Sequence, residues 1–99
     1  MYLIREVLHC RPGKVRALVQ KFQELGHVME RHEHEPFRIY TDVSGERFWT
    51  VVLESEAETV EAARDMEATV MADEEAQKIM EGYHDLVREG RREIYRVED

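Results

Sequence analysis

Five groups of side chains in this sequence could do chemistry. Trp49, Tyr2, Tyr40 and Tyr95, with Phe48, are large and rigid enough to wall an apolar ligand cavity. Ordinary core or interface packing is their structural alternative. Arg5 and Arg96 stand in strand-like segments, where a guanidinium can anchor an anionic or carbonyl group of a ligand. Their structural alternative, shared with Glu6 and Glu54, is ion pairing, because a covered charge must find a partner. His84 and His9 are the candidate general bases, since imidazole titrates near neutral pH. Cys10 would need a cationic setting to become a nucleophile and has only Arg11 beside it, so a reactive thiol is not expected. The run His27-Val-Met-Glu-Arg-His32-Glu-His34-Glu35 is dense in potential ligands but matches no recognised metal spacing. It reads as a solvated helix end, and neither metal nor cofactor is expected.

The elements that must position these residues follow from periodicity. Residues 2–10 are rich in aliphatic and β-branched types and predict a first strand. Pro12 removes a ladder N–H and favours a helix start. Val15, Leu18, Val19, Phe22, Leu25 and Met29 then form one helical face that must end before Pro36. Residues 37–43 and 46–54 predict two strands joined by a tight hairpin at Ser44-Gly45. Ser55 or Glu56 would open a second helix carrying Val60, Ala63, Met66 or Glu67, and Val70. Asp73 reads as the N-cap of a third, with Ala76, Ile79, Met80, Tyr83, Leu86 and Val87 on its apolar face and Gly90 as its stop. Residues 92–97 predict the last strand.

The order β-α-β-β-α-α-β, with right-handed crossovers, predicts an α+β fold of the ferredoxin-like, split β-α-β kind, with a four-stranded antiparallel sheet and helices on one face. Strand 3 should be central and pair with strand 1, which would bury Trp49 at mid-strand. Neither strand 1 nor strand 3 alternates cleanly. Tyr2, Ile4 and Leu8 oppose Leu3 and Val7, while Phe48, Thr50 and Val52 oppose Trp49, Val51 and Leu53. Both sheet faces therefore ask for cover. One protomer's helices supply one cover; the other is expected from a second copy.

Composition narrows the classes. Ninety-nine residues, 36% charged and 42% hydrophobic, suit one domain spanning 1–99. Fourteen basic against twenty-two acidic residues leave a net charge of −8, which repels phosphate backbones. The nearest basic cluster, Arg88, Arg91, Arg92 and Arg96, is interleaved with Glu89, Glu93 and Glu98, so nucleic acid is not expected as a partner. A single cysteine and the lack of a signal-like or membrane-length apolar run make the cytoplasm the expected location, with no membrane partner.

Several segments resemble the dimeric α/β-barrel superfamily, in its antibiotic-biosynthesis-monooxygenase-like and NIPSNAP-like branches. They are strand 1 leading into Arg11-Pro12-Gly13-Lys14, Thr41-Asp42-Val43-Ser44-Gly45, Phe48-Trp49-Thr50-Val51-Val52, and Glu89-Gly90-Arg91-Arg92-Glu93-Ile94. The resemblance implies a homodimer whose sheets pair into a barrel. Members of the superfamily include cofactor-independent monooxygenases, haem-degrading enzymes and proteins with no known activity. Haem degradation in such members uses an Asn, a Trp and a helical His. This sequence has no Asn and no His in helix 2, so Trp49 is the lone match and haem degradation is not expected.

These readings predict an uncharacterised homodimeric α/β-barrel protein holding a small apolar or aromatic molecule between sheet and helices. A cofactor-independent monooxygenase acting on an aromatic substrate, and a structural or assembly domain with a filled interior, are the alternatives. The first two require a real cavity bounded by Trp49 and a tyrosine; the third requires none.

Overall fold

The structure, a computed structural model, describes residues 1–98; the last residue of the expected 1–99 domain lies outside them. The elements run β1 (Tyr2–Cys10), α1 (Val15–Arg31), β2 (Arg38–Thr41), β3 (Thr50–Ala57), α2 (Val60–Met71), α3 (Glu74–Ile79), α4 (Tyr83–Leu86) and β4 (Val87–Arg96). The strands form one antiparallel sheet in the order β2-β3-β1-β4. The α+β class, the ferredoxin-like topology and the central β1–β3 pair match the sequence reading.

Alternation along β1 decides what each sheet face carries. Leu8 and Cys10 point under the helices and join Val51 and Leu53 of β3 in the core. Arg5, Val7 and His9 point to the other face, which no helix of the chain covers. The periodic stripe of α1 closes the core from above: Leu18, Val28 and Met29 are fully buried, and Phe22 and Leu25 nearly so. Gly26 faces Pro36, where an added Cβ would lie 3.1 Å from the proline ring, so α1 and the descending chain approach closely there.

Several boundaries differ from the sequence reading. The tight hairpin at Ser44-Gly45 is instead an eight-residue loop, 42–49, closed by Thr50 N–H donating to Asp42 Oδ1 at 2.8 Å. β3 therefore starts at Thr50 and runs on through Ser55 and Glu56, which open no helix. Thr59 is the N-cap of α2, its hydroxyl accepting from Ala62 N–H.

Trp49, expected buried at mid-strand, sits just before β3 with φ of 57° and its side chain 44% exposed. Its carbonyl accepts from Cys10 N–H at 2.8 Å, so the unusual backbone serves to tie the loop to the end of β1.

The expected long third helix breaks after Ile79, where Gly82 takes a left-handed φ of 81°. β4 begins at Val87, and Gly90 lies within it rather than ending a helix. Gly90 pairs with Leu8, and a Cβ there would come within 2.6 Å of Leu8 Cδ2. The glycine thus makes room for the Leu8 side chain. Antiparallel pairing with β1 along its length outweighs the helical periodicity of this segment.

Leu18 is the plainest test of this core. Leu18→Ala should lower unfolding free energy by about 2–5 kcal/mol, as expected for a truncation at a fully buried site. Urea unfolding should show a lower midpoint with unchanged slope. A loss below about 1 kcal/mol would contradict the packing.

Candidate functional site

A cavity of about 490 Å³ lies between the helix-covered sheet face and the helices. Its apolar wall comes from Phe22 of α1, Phe37, Met66 and Val70 of α2, Met80 and Tyr83. Phe22 holds both Phe37 and Tyr83 edge-on, each at 6.4 Å between ring centroids. These T-shaped contacts fix the ring orientations. Ile94 of β4 and Met71 at the end of α2 stand at the rim and are exposed.

Three charged groups on this wall form a linked set. Alternation puts Glu6 of β1 and its cross-strand partner Arg92 of β4 side by side under the helices. Arg92 Nε donates to Glu6 Oε1 at 2.9 Å, and Nη2 also reaches that oxygen. Nη2 contacts Glu67 Oε2 of α2 at 3.1 Å. Hydrogen bonds to Glu67 and Glu6 hold the Arg92 guanidinium charged, its pKa raised above the ordinary value. Burial pushes the Tyr83 phenol up, aided by the negative charge of Glu6, so it stays protonated. The site therefore offers an aromatic apolar pocket with a neutral phenol and an ion triad. Ser55 and Arg64 complete its polar lining.

α3, the short helix between α2 and the Met80–Tyr83 part of the wall, is held at both ends. Asp73 caps α3, accepting from Glu75 and Ala76 N–H, and also contacts His32 Nε2 of α1 at 2.9 Å. Arg31 pairs with Glu75 at 2.8 Å. At the other end Lys21 Nζ donates to the carbonyls of Ile79 and Glu81, where helix geometry leaves acceptors unpaired. The ligand-rich run at the end of α1 thus contributes a structural clamp. No group of three or more metal-ligating side chains is found among the described residues.

None of the site residues expected from sequence lines the covered cavity. Arg5, Tyr40 and His9 come together on the uncovered sheet face, around a concavity of about 540 Å³. There Arg5 pairs with Glu54 at 2.8 Å and stacks over Tyr95, 5.8 Å from its centroid. His9 Nδ1 lies 3.2 Å from Thr50 Oγ1, and burial, then Arg47 and Arg91, lower its pKa. Tyr2 and Arg96 line neither hollow. Trp49 packs edge-on against Phe48 in the 42–49 loop, 5.9 Å between ring centroids. His84 is exposed beside the Tyr83 ring.

A cavity between sheet and helices was expected; its tyrosine is Tyr83, and Trp49 is not in it. Met66, Val70, Met80 and Tyr83 were legible as helix stripes but not as a lining. Glu6, a charge in an apolar strand, was the one sequence signal pointing to the triad.

Asp73 gives the clamp a pH signature. Its carboxyl is held below the ordinary 3.8, chiefly by the His32 hydrogen bond. A depressed carboxylate pKa adds stability above the unfolded value, and this is lost as pH falls through the folded one. Asp73→Asn keeps a capping side chain yet should melt lower at neutral pH. That gap should close as thermal scans descend below about pH 4. A gap independent of pH would contradict the clamp.

No protein-family model matches the sequence, and no curated protein does. Solved structures do match. A NIPSNAP family protein from Agrobacterium tumefaciens superposes with a TM-score of 0.84 at 12% identity, covering 99% of this chain and 86% of that one. An uncharacterised NIPSNAP domain protein from Burkholderia xenovorans gives 0.80 at 15%, covering 99% and 95%. A structure described as an antibiotic biosynthesis monooxygenase gives 0.68 at 14%, covering all of both chains. At such identities the likeness concerns the fold: the chain has the ferredoxin-like α+β architecture of NIPSNAP and antibiotic biosynthesis monooxygenase-like structures, in agreement with the resemblance drawn from sequence.

Proposed function

We propose that this protein is a homodimer that binds a small, largely apolar or aromatic molecule in the cavity between sheet and helices. The observation that carries the reading is the cavity itself. An unfilled 490 Å³ lined by Phe22, Phe37, Met66, Met80 and Tyr83 falls within the size range of small-molecule sites, with a few polar groups from the sheet and from α2. A purely structural domain would fill such a space with side chains. Cofactor-independent monooxygenation of an aromatic substrate is the second reading. It is favoured by the aromatic wall and by the fold shared with the structure described as an antibiotic biosynthesis monooxygenase. It requires oxygen uptake matched to substrate loss.

Nile red, a neutral apolar dye, should bind with a blue-shifted emission. Ala63 lines the cavity from a half-buried position, and Ala63→Trp should fill the space. That variant should lose most dye binding while melting within a few degrees of the parent. Equal dye binding by both proteins would overturn the reading.

The dimer is supported by the uncovered sheet face. Leu3, Val7, Val52 and Tyr95 alternate there with matched charges, Arg5 against Glu54 and Arg91 against Glu93. Val43 and Phe48 of the adjoining loop are strongly exposed. A second copy would cover roughly 2,000 Å² in total, the scale of a stable association. Light scattering at micromolar concentration should give twice the 11.8 kDa chain mass; a monomer mass would refute the dimer.

A further inference from the structure

We infer that the Glu6–Arg92–Glu67 triad sets the charge preference of the cavity, admitting apolar molecules that carry a cationic or neutral hydrogen-bond donor and turning away carboxylates. The inference rests on the cavity being a ligand site. It concerns which ligands that site accepts.

One guanidinium stands between two carboxylates, so the set carries a net negative charge. Arg92 spends Nε and Nη2 on Glu6 and Glu67. A ligand carboxylate would meet Arg92 with that donor edge already engaged and two like charges beside it. Glu6 has the opposite capacity. Its Oε1 takes the Arg92 bonds, while Oε2 has no hydrogen-bond partner among the described residues. Glu6 is also the most covered member, its side chain 30% exposed against 45% for Arg92 and 50% for Glu67.

A ligand filling the cavity displaces water from that oxygen. Leaving an acceptor unmatched is costly, whereas an ammonium or hydroxyl donor restores the bond. The other facing groups do not reverse the sign. Tyr83 is a neutral phenol. Arg64 lines the cavity from the same exposed side of α2 as Glu67 but bonds to no member of the triad, so its charge is not held against Glu6.

Three probes of one shape separate charge from apolar fit: 2-naphthylmethylamine, 2-naphthylmethanol and 2-naphthoate. Calorimetric titration of the intact protein at pH 7 should rank the amine at least about tenfold tighter than the carboxylate, with the alcohol between. Glu67 is half-exposed, so Glu67→Gln should fold normally and bring the amine-to-carboxylate ratio towards one. The double variant Glu6→Gln/Glu67→Gln should favour naphthoate. Ala63→Trp should weaken all three probes, placing them in this cavity.

Equal affinities in the parent, or a ratio unmoved by Glu67→Gln, would overturn the inference. If Nile red still binds in those cases, the cavity reading stands without it. If neither Nile red nor any naphthyl probe binds, both fall.

Discussion

The central position of β1 is the constraint on which the rest depends. Its backbone pairs with β3 on one side and β4 on the other, from Tyr2 to His9 on both. Double pairing leaves the strand no freedom of register, because a slip of one residue would send every side chain to the wrong face. Its alternation then assigns each residue a role. Leu8 and Cys10 enter the core, Glu6 enters the cavity, and Arg5, Val7 and His9 face away from the helices. Arg92 and Glu6 meet because β4 is held opposite β1, and Gly90 opposite Leu8 leaves room for the leucine side chain.

The helix layer is unevenly distributed over this sheet. α1 packs tightly over β1 and β3, burying Leu18, Phe22, Val28 and Met29. α2 is loosely seated, with Val70 its buried residue, and β4 is mostly exposed. The space left under α2 is the cavity. α3, which joins the lining helix α2 to Met80 and Tyr83, is tied to α1 at both ends, through Asp73 with His32 and Arg31 and through Lys21 on the last carbonyls. Each tie is partly exposed and modest alone. Together they fix the angle of a six-residue helix too short to hold itself.

The two sheet faces use charge differently. On the uncovered face Arg5, Glu54, Arg91 and Glu93 pair within a largely polar lattice, and Val7 is buried among them. Under the helices, two acidic groups and one basic group converge beside aromatic rings. The first arrangement neutralises itself. The second leaves the Glu6 Oε2 acceptor without a hydrogen-bond partner among the described residues.

Local order determined much of this protein before any tertiary contact is considered. The 3–4 spacing of apolar residues from Val15 to Met29 requires α1, and Asp73 followed by Glu74 and Glu75 requires a capped helix start. The β-rich runs and connection lengths lead to the split β-α-β topology with β3 beside β1. These follow from short-range sterics and from the need to bury one face. What only the tertiary structure decided are the points where a distant partner outweighs local preference. Gly90 reads locally as a helix stop, yet pairing with β1 makes Val87–Arg96 a strand. Ser44-Gly45 reads as a tight turn, but the Asp42–Thr50 bonds close a longer loop and displace Trp49 from the strand. The partnership of Glu6, Glu67 and Arg92 joins residues up to eighty-six positions apart, and no periodicity within one segment can express such a contact.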